Sequence, residues 1–252
     1  MIRLARRTRA LALATFTVAT LAPALHAQAT PTAEQVIEKY VAAIGGREAW
    51  QKKQSMRVVA ELQLGAQGTA TQEILLDRAG RMFGRTSVPT ATFEFGFDGE
   101  TAWSINPMQG AAIVTGKQAE SMRVVANLPL MAYEKGSYRS ATLVGAADFD
   151  GRKAWQLTLV PLVGPEMTEY FDQATGLKIG SAVRLASEMG ELDMRFAYRD
   201  YTKYGDVTYP KTTVQFNPMS GEMVGTAQTL EFDTVPATAF ALPNSVKALK
   251  KP

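Results

Sequence analysis

Ser55-Met56-Arg57-Val58-Val59-Ala60-Glu61-Leu62-Gln63-Leu64 is the stretch that decides the fold. Val58, Ala60, Leu62 and Leu64 fall on one side of an extended chain, and Arg57, Glu61 and Gln63 on the other. That is the two-residue period of a strand with one wet face. The same period returns at about 70–77, 80–88, 91–97, 101–106 and 111–115, and again at about 139–146, 153–162, 166–172, 177–187, 191–204, 207–217 and 222–234. Turn residues separate the segments. The chain therefore reads as mainly β, with about 11–13 antiparallel strands.

Upstream the period is helical. Thr32 and Gln35 have the spacing of a capping box, and Val36, Ile37, Tyr40, Val41 and Ile44 form one apolar stripe. Gly45 and Gly46 end this N-terminal helix, and a second helical turn over Arg47–Lys52 turns Trp50 inward. Between the two runs of strands, Lys117–Lys135 places Met122, Val125, Leu128 and Leu130 or Met131 at helical spacing, broken by Pro129. It predicts a helical segment lying over the sheet as a lid. Asn244–Lys250 reads as a short helix or a frayed tail.

Two sequence echoes mark turns. Phe97-Asp98-Gly99 and Phe149-Asp150-Gly151 each set Asp-Gly between apolar runs, which predicts two-residue hairpins of type I′. Asn106-Pro107-Met108-Gln109-Gly110 and Asn217-Pro218-Met219-Ser220-Gly221 each place a methionine in a strand-ending turn. Met108 and Met219 are accordingly turn residues, or else rim residues of an apolar opening where a flexible thioether adapts to varied ligands.

A long sheet with one apolar face and only two or three helices must curl to hide that face. A half-open antiparallel β-barrel, its concave side covered by the N-terminal helix and the lid, satisfies edge protection and core burial together. Large apolar side chains share single strand faces: Phe93, Phe95 and Phe97; Trp155, Leu157 and Leu159; Leu192, Met194, Phe196 and Tyr198. A barrel wider than about eight strands leaves interior volume that side chains need not fill.

Residues 1–29 read as a signal peptide, removed on export, with residues 30–252 forming a single domain. Arg3, Arg6, Arg7 and Arg9 precede an apolar run from Ala10 to Leu25, and Ala27-Gln28-Ala29 supplies the small-residue cleavage pattern. The run is short and broken by Pro23, so no transmembrane anchor is expected. The leader holds four of the 27 basic residues and none of the 24 acidic ones, which leaves the remainder one charge below neutral. A near-neutral surface argues against nucleic acid as a partner.

The chain has no cysteine, and its one histidine, His26, lies in the leader. Thiol, imidazole and histidine–zinc chemistry are excluded for the exported part. Its acids are dispersed: Asp148 and Asp150 flank one turn, Glu188, Glu191 and Asp193 another, and Glu94 faces outward between Phe93 and Phe95. No phosphate loop, calcium loop or nucleophile elbow occurs. The reading is of a protein that is not an enzyme, with no cofactor and no metal.

Several blocks resemble the LolA/LolB-like outer-membrane lipoprotein-sorting proteins. They are the helix ending in Ile44-Gly45-Gly46, the block Phe97-Asp98-Gly99 to Trp103-Ser104-Ile105-Asn106-Pro107-Met108-Gln109-Gly110, Tyr170-Phe171-Asp172 with Thr175-Gly176-Leu177, Asp200-Tyr201 with Tyr204-Gly205-Asp206-Val207 and Tyr209-Pro210, and Phe240-Ala241-Leu242-Pro243. The resemblance spans most of the chain after the leader. It implies an unclosed barrel with a helical lid, a periplasmic location, and an apolar concavity that takes acyl chains of a lipoprotein or a lipid. The candidate ligand contacts are Phe93, Phe95, Trp103, Met108, Met122, Leu128, Leu130, Met131, Met194 and Phe196. Another class of partner, an envelope protein bound through the barrel edge or the lid by a sensor or scaffold, is the alternative.

Overall fold

The computed structural model describes residues 30–187, 190–218 and 221–250. The expected signal peptide, Glu188 and Met219 lie outside the described residues. Thr32 caps helix α1 (Ala33–Ala43) with both bonds of the capping box, and Val36, Ile37, Tyr40 and Val41 are its buried face. Gly45 lies at φ +109°, and a Cβ there would come within 2.4 Å of the Asp206 carbonyl oxygen, so only glycine closes this helix against the sheet. Helix α2 (Arg47–Gln51) follows and buries Trp50, whose indole Nε1 donates to the Ile44 carbonyl at 3.1 Å.

Thirteen strands then form one sheet. They are β1 (Ser55–Gln63), β2 (Thr69–Asp77), β3 (Met82–Val88), β4 (Ala91–Phe97), β5 (Ala102–Asn106) and β6 (Gly110–Val114), followed by β7 (Tyr138–Phe149), β8 (Arg152–Pro161), β9 (Met167–Asp172), β10 (Lys178–Ser187), β11 (Gly190–Tyr204), β12 (Val207–Asn217) and β13 (Gly221–Phe232). Every sequential pair except β6–β7 is an antiparallel neighbour, and the two meanders join where β1 pairs with β13. β6 and β7 are left as free edges, so the barrel is unclosed. Between them the chain runs through α3 (Gly116–Val125) and a 3₁₀ turn, Leu128–Ala132. It ends with a 3₁₀ turn at Ala237–Phe240 and helix α4 (Asn244–Lys247), which pack on β3 and β6. Among the described residues no helix is long and apolar enough to cross a membrane.

Strand positions match the sequence reading closely, with two local corrections. Leu64 leaves the strand and opens a 3₁₀ turn, Gly65–Gln67. Of the two Asp-Gly hairpins, Asp150-Gly151 has positive φ at both central residues and is the tight turn expected. Asp98-Gly99 instead belongs to a longer loop from Asp98 to Thr101, because the Asp98 carboxylate accepts the amides of Glu100 and Thr101 and folds the chain around itself.

Outward positions near the middle of the sheet are charged and laddered. Arg57 bonds Glu73 and Glu231, and Arg85 bonds Glu94, at 2.8, 3.1 and 2.9 Å. These exposed pairs contribute little stability each, but they keep the convex face wet.

Candidate functional site

One end of the concave face is filled and the other is hollow. At the filled end α1 and α2 plug the curl: Tyr40 meets Tyr133 and Phe171 edge-on at 5.5 Å each, and Trp50 meets Phe232 at 5.8 Å. Under this plug sits a polar cluster. Glu169, 2 % exposed, accepts from Lys178 Nζ at 3.1 Å and from the Tyr133 hydroxyl. The Lys178 ammonium also lies 5.4–5.9 Å from the ring centres of Tyr40, Tyr133 and Tyr198. Burial alone lowers Lys178, but the Glu169 carboxylate and the surrounding tyrosines reverse this and hold it above its ordinary value. Tyr40 is pushed up to about 12, chiefly by burial.

Beyond the plug lies a cavity of about 610 Å³. Strand pleating puts Met56, Val58, Ala60 and Leu62 of β1, Ile74 and Leu76 of β2, Phe95 of β4, Met194 and Phe196 of β11, and Met223 and Ala227 of β13 on its wall. Met122 and Val125 of α3, with Met131, form its roof. The size falls in the roughly 300–1,000 Å³ range of small-molecule sites. Methionines at Met56, Met82, Met122, Met131, Met194 and Met223 supply an adaptable lining.

Five of the ten candidate residues therefore meet: Phe95, Met122, Met131, Met194 and Phe196. Phe93 stands two residues along the same face as Phe95, half-buried and outside the lining. Trp103 is on the opposite face. Its ring covers Gly96 and leans on Phe83 at 6.2 Å, and it is 2 % exposed on the side of the sheet where the C-terminal turns pack. Met108 is 87 % exposed in a turn whose Asn106 side chain accepts its amide, and it lies outside the cavity lining. Leu128 is 1 % exposed in the core, Leu130 packs against that core, and neither is in the cavity lining. The helical spacing breaks because Asn127 and Pro129 open a 3₁₀ turn, whose tighter winding rotates Leu128 inward.

The lid accordingly has two unlike halves. α3 buries no residue, leaves Val125 52 % exposed, and is tied to the sheet by an exposed Lys117–Glu191 pair at 3.1 Å. Leu128–Glu134 is clasped. Arg47 Nη1 donates to the carbonyls of Ala132 and Tyr133 at 3.0 and 2.6 Å, and Arg78 makes a two-pronged bond to Glu134 while holding the Trp50 carbonyl at 2.6 Å. Sequence pattern alone gave neither arginine a role, since each acts across more than 50 residues of chain. Arg47→Leu leaves two carbonyls without their donor. Amides of Leu130, Tyr133 and Glu134 should then exchange about tenfold faster, while the β12 amides stay unchanged. Equal exchange at both places would show that the clasp does not hold the turn.

The sequence matches no family model and no curated protein. Solved structures do match. A LolA superfamily protein from Nitrosomonas europaea is 15 % identical over 84 % of this chain and 98 % of its own, with a TM-score of 0.55. A DUF1329 family protein from Desulfovibrio piger is 13 % identical over 83 % of this chain and 97 % of its own, at 0.54. A domain from Vibrio parahaemolyticus described as outer-membrane lipoprotein-sorting is 16 % identical over 81 % and 94 %, at 0.50. The fold is LolA-like: one open antiparallel sheet wrapped over an N-terminal helix.

Proposed function

We propose that this chain is a periplasmic binder or carrier of lipid or lipidated protein, holding acyl chains between the concave face and α3. The observation that carries the reading is the hollow of about 610 Å³ lined mainly by aliphatic, methionine and phenylalanine side chains, with tyrosine, glutamine, serine, threonine and one lysine among them. Each methylene transferred there from water contributes about 0.8 kcal/mol, so a chain of a dozen binds without a polar contact. The loosely held α3 gives entry, and the clasped turn behind it keeps the roof in register. Export and a periplasmic location rest on the leader-like residues 1–29.

Protein purified without detergent should release acyl lipid on organic extraction, identified by mass spectrometry. Repeated preparations free of lipid, from a host that makes it, would remove the reading.

The free edge β7 favours a second reading. It runs for 12 residues and exposes Val144 at 59 %, a template for strand addition by an extended segment of a protein partner. Cross-linking that traps one envelope protein along β7, from preparations without lipid, would select it.

A further inference from the structure

Among the described residues that line the cavity, one is charged: Lys211 of β12. Thr212 pairs with Thr226, so the register sets Lys211 level with Ala227, which pairs with Ala60. Lys211 thus belongs to the concave face, exposed at the cavity wall and level with two small residues that leave room above the sheet. Among the described residues Lys211 has no salt-bridge or hydrogen-bond partner. The acid nearest in register, Asp200, is turned to the other face, where its carboxylate accepts from Thr212 Oγ1 at 2.7 Å. Thr213 and Gln215 continue along the cavity face, and their side chains likewise record no bond among the described residues.

An unpaired cation on a mainly apolar wall whose other described polar groups are neutral discriminates among ligands. While the cavity is empty water solvates the ammonium. A neutral tail laid across it would strip that water and return nothing, whereas an anionic head restores the charge balance. We infer that the cavity takes a single-headed anionic amphiphile, with its carboxylate or phosphate at Lys211 and its hydrocarbon along β1, β2 and α3. This deepens the acyl-chain reading and rests on it, but it selects within that class. Acyl chains of a lipoprotein bring no charge of their own to this level.

The test compares delipidated wild-type protein with Lys211→Met and Lys211→Arg, titrated with palmitate, hexadecyl phosphate and hexadecanol. Wild type should bind one or both anions about tenfold more tightly than the alcohol, the size of one partly screened charge-assisted contact. Lys211→Met should lose that preference and keep its affinity for the alcohol, and Lys211→Arg should retain the preference. The tighter of the two anions identifies the headgroup. Lys211 is exposed, so unchanged melting of the variants confirms that they fold. Equal binding of acid and alcohol by wild type, or a preference that survives in Lys211→Met, overturns the inference and leaves the cavity reading standing. Failure of all three ligands to bind overturns both.

Discussion

Lys178→Met should lower folding stability by about 3–5 kcal/mol, the range for removing one partner of a buried ion pair. Glu169 is 2 % exposed and would keep only the Tyr133 hydroxyl. Tyr133 is itself fully buried and holds a left-handed backbone at φ 48°, so the plug around α1 has little freedom to bring in water. Adding Glu169→Gln should recover much of the loss, because the double variant buries no unpaired charge. Denaturant unfolding of the four proteins gives the coupling energy. Additive losses would mean that the pair is not coupled. The folded-state pKa of Lys178 is raised, so its contribution is complete below the unfolded lysine value of about 10.4 and fades only as pH rises through the folded value. The deficit of Lys178→Met should therefore be constant across the neutral range.

Ala60→Trp should empty the cavity without unfolding the protein. Ala60 lies at the centre of β1 on the cavity wall, where an indole projects into hollow space rather than into a packed layer. Displacing three methylenes of a bound chain costs about 2.4 kcal/mol, roughly fiftyfold in affinity. Co-purified lipid should fall accordingly while the melting temperature holds within a few degrees of wild type. Full retention of lipid by Ala60→Trp would place the bound molecule elsewhere. A comparable substitution on the convex face, Val59→Trp, should leave lipid unchanged and serves as the control.

Much of the site was legible because its wall is made of strands. Phe95, Met194 and Phe196 were readable as inward residues from the period of two alone. Trp103 was not, since the large apolar residues of β4 (Phe93, Phe95, Phe97) lie on one face of the sheet and those of β5 (Trp103, Ile105) on the other, and the sequence carries no sign of which face the distant C-terminal turns will cover. Leu128 and Leu130 failed for a different reason. A change from α to 3₁₀ winding at Asn127 and Pro129 breaks the spacing counted at 3.6, so Met131 reaches the cavity while Leu128 and Leu130 do not.

The sequence by itself determined the strands with their alternating side chains, the tight Asp150-Gly151 hairpin and the capped first helix, because these depend on neighbours within a few residues. Tertiary structure alone decided that β1 meets β13 across the whole chain, that β6 and β7 remain open, and that Lys178 finds Glu169 while Lys211 finds no carboxylate among the described residues. Pleating fixes that successive side chains alternate. Which side becomes a plug, which a hollow and which a covered outer face depends on how a thirteen-stranded sheet curls around its helices, a property of no single segment.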